Sequence, residues 1–329
     1  MKTIFFGTPT TAVPYLEHLY KNHEIVAVVT QTDKPAKRGQ HIQKSPVKEW
    51  AITHNIPVIQ PATLKDPIFL EQLQKTQAEL GIVVAYGKIL PKAIIEIFSR
   101  GIYNIHFSLL PQLRGAAPIQ WAIIHGDKKT GVSLFRISET LDTGNILSQK
   151  EIEIDPQENT ISLENKLIAL GIQVMDESIQ KIENNQIEGL EQRGLSTHAP
   201  LIKKEHTQIH WNKPALEIEQ LIRGLIKIGA YCTLPSQKHL KIFQAHRIEK
   251  IIPPLQNLSP QNSASTPPFT NDKTDPPGTI CAFERGRGFI VKCEPEYLFI
   301  TQVQPEGKRT MNAWSFLQGS QLKIKDPLL

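Results

Sequence analysis

Over the first 185 residues, short apolar runs alternate with stretches in which apolar residues recur at helical spacing. Thr3–Phe6, Ile25–Val29, Leu80–Val84, Ile102–His106 and Val132–Arg136 are near-continuous runs rich in Val and Ile, which predicts strands buried on both faces. Between them, Thr11–Lys21, Val47–His54, Asp66–Thr76, Pro91–Ser99 and Pro118–His125 read as helices, and Asn159–Glu183 adds a longer one. Buried strands alternating with helices predict an α/β domain with a Rossmann-like, mainly parallel sheet over residues 1–185. Periodicity then weakens, and residues 186–208 read as a linker.

The pattern changes in residues 209–329. After a helix at Pro214–Leu225 come five short strand-like runs: Ala230–Leu234, Leu240–His246, Gly278–Phe283, Gly288–Cys293 and Tyr297–Val303. Their number and turn signals predict a small β-barrel of the oligonucleotide-binding (OB-like) type. Residues 251–278 are rich in Pro, Ser, Asn and Thr and read as a flexible insertion between those strands.

Charge sharpens this division. Residues 1–209 hold 22 Lys/Arg against 22 Asp/Glu, and residues 210–329 hold 15 against 10, so the whole net charge of +5 lies in the last third. A neutral front and a basic back suit contact between the C-terminal part and a polyanion, although a merely basic, solvated surface fits equally. The apolar run at the N-terminus is too short for a signal-peptide core, and no later run approaches a membrane span. Cys232, Cys281 and Cys293 lie far apart without C-x-x-C spacing, which argues against structural zinc and disulfides and fits a reducing, cytoplasmic setting. A monomer without bound metal is the expectation.

The candidate chemistry lies at the ends of predicted strands. The first runs into Gly7-Thr8-Pro9, but no G-x-G-x-x-G follows, and Pro9 removes an amide that a phosphate cradle would use. That excludes a dinucleotide fingerprint. Asn104 and His106 are two apart at the end of another strand and so share a face. The turn Leu141-Asp142-Thr143-Gly144 follows the next strand. Alone, each is also compatible with a structural role, since a His beside a strand end often packs and an Asp before Thr-Gly often shapes a turn. Together they suit acyl transfer to an amine: the carboxylate orients the imidazole, the imidazole takes the amine's proton, and the Asn amide steadies the oxyanion. No Ser or Cys nucleophile is required, because the amine attacks. The segment Gln31–Lys48 carries Lys34, Lys37, Arg38, Lys44 and Lys48 among Pro and Gly, a basic loop suited to phosphate contact.

Asn104-Ile105-His106-Phe107-Ser108-Leu109-Leu110-Pro111, then Arg114-Gly115-Ala116-Ala117-Pro118, then Leu141-Asp142-Thr143-Gly144 resembles the folate-dependent formyltransferases. The opening Phe6-Gly7-Thr8-Pro9, Thr30–Pro35, Ser45–Lys48 and Val84–Pro91 are similar to the branch that acts on methionyl-tRNA. The resemblance is dense over the first 185 residues and looser beyond. It implies transfer of the formyl group of 10-formyltetrahydrofolate to the amino group of methionyl-initiator tRNA. It further implies His106 as general base, Asn104 as oxyanion donor and Asp142 as the group orienting His106. Ser108, Leu109, Leu110 and Pro111, with Tyr86 and Gly87, become folate-binding residues, while Lys37, Arg38 and Lys44 become tRNA-binding residues. A formyltransferase acting on an amino-sugar nucleotide would share the same triad, and the basic loop and basic last third favour RNA over it. Phe107 stands where the family often has glycine, and Arg223–Ala230 replaces a frequent Asn-Pro-Trp-Pro stretch.

Overall fold

A computed structural model describes residues 1–35, 42–248 and 275–329. The chain forms two compact units: Met1–Ile119, Lys128–Asp155 and Ser162–Leu201 make the first, and Gln120–Asp127, Pro156–Ile161 and Ile202–Leu329 the second.

The first unit is built on a seven-stranded sheet. Its strands are β1 (Lys2–Gly7), β2 (Glu24–Val29), β3 (Val58–Ile59), β4 (Leu80–Val84), β5 (Ile102–His106), β6 (Lys129–Arg136) and β7 (Ile146–Glu153), in spatial order β7-β6-β5-β4-β1-β2-β3. The pairs β1–β2, β1–β4, β2–β3 and β4–β5 are parallel, whereas β6 and β7 join antiparallel. Ile4, Phe5 and Phe6 are all fully buried, as are Ile82 and Val84, so both faces of the central strands are covered. Helices start where the sequence supplies caps. Ser45 accepts from the Lys48 amide ahead of the helix Pro46–Thr53, and Asp66 accepts from the Ile68 amide ahead of Pro67–Lys75.

Three elements differ from the sequence reading, the first being the two-residue edge strand β3 (Val58–Ile59), which that reading lacks. The helix expected at Pro91–Ser99 shrinks to Lys92–Ile95, one turn closed by the Glu96 amide to Lys92 O at 3.0 Å, after which Ile97 N turns back to Ile94 O. The edge strand β7 escapes the apolar-run criterion because Lys150, Glu151 and Glu153 give it a polar, partly exposed second half.

The second unit contains the helix Ala215–Gly224 and an antiparallel sheet of β8 (Ala230–Thr233), β9 (His239–Ile248), β10 (Ile280–Glu284), β11 (Gly288–Lys292), β12 (Tyr297–Pro305) and β13 (Met311–Asn312). The order is β8-β9-β12-β11-β10, with β13 on β12, and among the described residues no ladder joins β8 to β10. The segment Lys325–Leu329 touches both: Leu329 exchanges two backbone hydrogen bonds with Thr233, and Lys325 donates to Ile280 O. The core is packed from Ile218, Ile222, Ile242, Phe289, Val291, Leu298 and Ile300. A short terminal helix, Ala313–Gln318, capped by Asn312, is absent from the sequence reading. The expected insertion 251–278 lies outside the described residues except for its last four.

Candidate active site

The parallel strands β4 and β5 end side by side, and their C-terminal ends deliver Val83–Val84 and Asn104–His106 to one end of the sheet. A cavity of about 540 Å3 opens there. Its walls include Tyr86, Gly87, Ile89, Asn104, His106, Phe107, Phe135, Leu141, Asp142 and Leu201.

His106 is 5% exposed and lies edge-on to Phe135, with ring centroids 6.5 Å apart. Its Nε2 is 2.9 Å from the Leu113 carbonyl oxygen. A carbonyl only accepts, so this partner assigns a proton to Nε2 and leaves Nδ1 as the nitrogen that gains or loses one. Nδ1 faces Asp142 Oδ2 at 3.8 Å, too long for a hydrogen bond but short for two charges.

Asp142 is itself fixed. It is 8% exposed and sits at φ +52°, a left-handed conformation that Asp tolerates better than most residues. The Gly115 amide donates to its Oδ2 at 2.8 Å. Gln192 Nε2 donates to the Asp142 carbonyl at 2.8 Å and to the Gly144 carbonyl at 2.9 Å. The Gln192 oxygen accepts from Arg114 Nε and Nη2 at 3.1 and 2.6 Å. A Cβ on Gly144 would lie 1.7 Å from the Arg136 carbonyl, so the Asp-Thr-Gly turn admits no side chain there. Spacing in sequence thus led to Asn104, His106 and Asp142, and the fold brings all three to one cavity. Arg114, Gln192 and Thr197 were missed as site residues. Arg114 lay within the Arg-Gly-Ala-Ala-Pro stretch; the other two fall where periodicity weakens.

Tyr86 is 1% exposed, burial pushes its phenol up to about 12, and its Oη has no hydrogen-bond partner among the described residues. The Tyr86 carbonyl accepts from Gln31 Nε2 at 2.7 Å and Thr8 Oγ1 at 3.2 Å. Gly87, at φ +78°, lies so close that a Cβ would be 2.7 Å from Gln31 Nε2. Ser108, Leu109, Leu110 and Pro111 do not line the cavity; they form a turn closed on itself. Ser108 Oγ donates to Gln112 O at 2.6 Å, and Ser133 Oγ donates to Ser108 O at 2.6 Å while accepting from the Leu110 amide. Phe107 is 8% exposed, lines the cavity and packs edge-on against Tyr15, centroids 6.2 Å apart.

At the basic loop, Lys37 and Arg38 lie outside the described residues, and Lys44 is exposed. The two flanks are clasped. Lys34–Pro35 pairs with Ile42–Gln43, and the hydroxyls of Thr30 and Ser45 are 2.7 Å apart. Lys48 Nζ donates to Asp33 Oδ2 at 2.6 Å and to Gln60 Oε1 at 2.5 Å. Hydrogen bonds from Lys48 and Gln60 hold the Asp33 carboxyl below the usual carboxylate range. Lys48, counted by sequence among the loop's cations, is therefore engaged within the protein.

Among the described residues no cluster of three His, Cys, Asp or Glu is placed to hold a metal, and no helix is long and apolar enough to cross a membrane. Burial raises the thiols of Cys232, Cys281 and Cys293 to about 12, 11 and 12, which makes them poor nucleophiles.

Comparison with known proteins supplies the rest. Residues 1–179 match the formyl transferase family and residues 201–321 match the formyl transferase C-terminal domain. The methionyl-tRNA formyltransferase of Fusobacterium nucleatum is 37% identical over 329 residues, covering 100% of both chains. That of Alkaliphilus oremlandii is 39% identical over 325 residues, covering 98% of each. An N-formyltransferase from Helicobacter canadensis, solved with folinic acid and dTDP-3-aminofucose, shares the fold at a TM-score of 0.63 and 22% identity, over 93% of this chain and 99% of its own. Full-length identity at this level, with both family domains in order, places the chain in the methionyl-tRNA formyltransferase family.

Proposed function

We propose that this chain transfers the formyl group of 10-formyltetrahydrofolate to the free amino group of methionyl-initiator tRNA, with His106, Asn104 and Asp142 carrying the chemistry. The observation that carries the assignment of residues is the His106–Asp142 pair, buried together in the wall of a cavity at the strand ends. The amine nitrogen attacks the formyl carbon, forming a C–N bond and an oxyanion. Asn104 donates to that oxyanion, and His106 takes the proton the amine loses. Collapse of the adduct breaks the bond to folate N10, which leaves with a proton, giving tetrahydrofolate and formylmethionyl-tRNA. Asp142 stands 3.8 Å from the imidazole as it becomes cationic. Holding donor and amine in attack geometry supplies several further kcal/mol.

The cavity's apolar walls suit the donor's ring system, with Tyr86 and Gly87 against it and the Ser108–Pro111 turn supporting the strand end that carries His106. Lys37, Arg38 and Lys44 bind the tRNA from the basic loop. The C-terminal unit acts as an OB-like module that extends the RNA surface; the contacts of Lys325–Leu329 with both β8 and β10 support a barrel-like reading. The first unit, which reaches Leu201, then serves as the catalytic domain and residues 209–329 as the tRNA-binding domain of a cytoplasmic monomer. The test is formyl transfer to charged initiator tRNA by the wild-type chain and by His106→Ala. We expect loss of turnover in the variant with donor binding retained; full turnover by His106→Ala would overturn the assignment.

A further inference from the structure

The segment from Leu190 to Ala199, which the sequence presents as linker, is wired into the backbone around the two buried groups of the site. Two non-glycine residues there adopt left-handed backbone: Asp142 at φ +52° and Leu113 at φ +56°. Such conformations persist only where the surroundings over-determine them. The surroundings here come largely from this one segment. Gln192 spends both of its N–H donors on the carbonyls of Asp142 and Gly144, at 2.8 and 2.9 Å, and its oxygen on the Arg114 fork. It therefore fixes the peptide planes that follow Asp142 and Gly144. Thr197 works on the other side. Its Oγ1 accepts from the Leu113 amide at 2.8 Å, and its carbonyl accepts from the Arg114 amide at 2.9 Å. Leu113 in turn offers its carbonyl to His106 Nε2 at 2.9 Å. Next to it, His198–Ala199 pairs as a parallel ladder with Arg114–Gly115, and the Gly115 amide is the one that holds Asp142 Oδ2.

We propose that Gln192 and Thr197 are positioning residues for formyl transfer: Gln192 sets the carboxylate of Asp142, and Thr197 sets the Leu113 carbonyl that orients His106. Neither lines the cavity, so neither contacts a reactant; both act through groups that do. This rests on the reading of His106 and Asp142 as the reacting pair. Removing either contact lets a charged or proton-carrying group move by a fraction of an ångström. That lowers turnover while leaving ground-state binding of folate and tRNA intact.

The variants separate the arms. Gln192→Glu keeps an acceptor for Arg114 but loses both donors to the Asp142 turn. Thr197→Val removes the acceptor for Leu113 at equal volume, and Thr197→Ser restores it. Steady-state formyl transfer is measured for each, and for Gln192→Glu again in an Asp142→Asn background, with circular dichroism to follow folding. We expect kcat to fall about 10- to 100-fold for Gln192→Glu and Thr197→Val, with both KM values within about threefold and Thr197→Ser near wild type. In the Asp142→Asn background Gln192→Glu should cost no more than about twofold, because the group it sets is already gone. A loss of undiminished size in that background, or a change confined to KM, overturns the proposal. If Gln192→Glu fails to fold, Gln192→Met, which also lacks the donors, is read in the same way. Asp142→Asn running at the wild-type rate would instead sink the underlying reading of the site, so the two failures are distinct.

Discussion

Replacing Asp142 by Asn removes one charge and little else. Asn is isosteric, tolerates left-handed backbone such as the φ +52° found here, and keeps a carbonyl oxygen to accept from the Gly115 amide. What disappears is the attraction between a carboxylate and the imidazolium that forms when His106 takes a proton. The side chains of His106 and Asp142 are 6% and 9% exposed, so water screens the pair poorly, and Nδ1 lies 3.8 Å from Oδ2. With an effective dielectric near 20, two unit charges at that distance attract by about 4 kcal/mol. Since ~1.4 kcal/mol of barrier is a factor of ten in rate, kcat should fall about a thousandfold. The assay is formyl transfer at saturating donor and charged tRNA, with folate affinity measured separately as a control for the fold. A kcat within about threefold of wild type would mean that no charge stabilisation of that size acts through Asp142.

Other perturbations reach other parts of the account. Arg38→Ala should raise KM for tRNA and flatten the salt dependence of kcat/KM by about one phosphate's worth, with folate binding unchanged; lost folate binding would show that the two sites are not separate. Asp33→Asn should loosen the loop and raise KM for tRNA. Because contacts with Lys48 and Gln60 lower the Asp33 carboxyl in the folded chain, its stabilisation is complete above the ordinary value of about 3.9 and fades as pH falls through the lowered one. The stability gap between wild type and Asp33→Asn, followed by thermal melts, should therefore be level at neutral pH and close in strong acid. Gly115→Ala should destabilise by about 1–3 kcal/mol in urea titration and slow transfer, since Gly115 sits at φ +125° and a Cβ would lie 2.6 Å from the Ala199 carbonyl. Unchanged stability would show that this ladder gives way easily.

The sequence was most legible where one physical requirement dominated. Strands β1, β4 and β5 had to be buried on both faces, so their apolar runs marked them within a residue or two. Ser45 and Asp66 cap their helices in the structure, a signal that the reading by apolar spacing did not use. Legibility failed where neighbours rather than local pattern decided. Strand β7 exists because β6 offers it an edge, and its exposed half needs no apolar residues. The polar residues of the site divide the same way. Asn104 and His106 share a strand face, which alternation exposes at once. Gln192 and Thr197 reach Asp142 and Leu113 across separations of 50 and 84 residues, and nothing in their own surroundings records that contact. Lys48 looked like one more loop cation until Asp33 and Gln60 were found beside it.

A site that formylates an amino acid carried on RNA must choose that acceptor over a sugar nucleotide, and offering both decides the matter. The purified chain is given 10-formyltetrahydrofolate with methionyl-initiator tRNA in one reaction and with a dTDP-linked amino sugar in another, and the formylated products are identified by mass. Formylmethionyl-tRNA is expected in the first and no formylated sugar in the second. Formylation of the sugar nucleotide with none of the tRNA would contradict this, keeping the chemistry of His106 and Asp142 but removing the substrate.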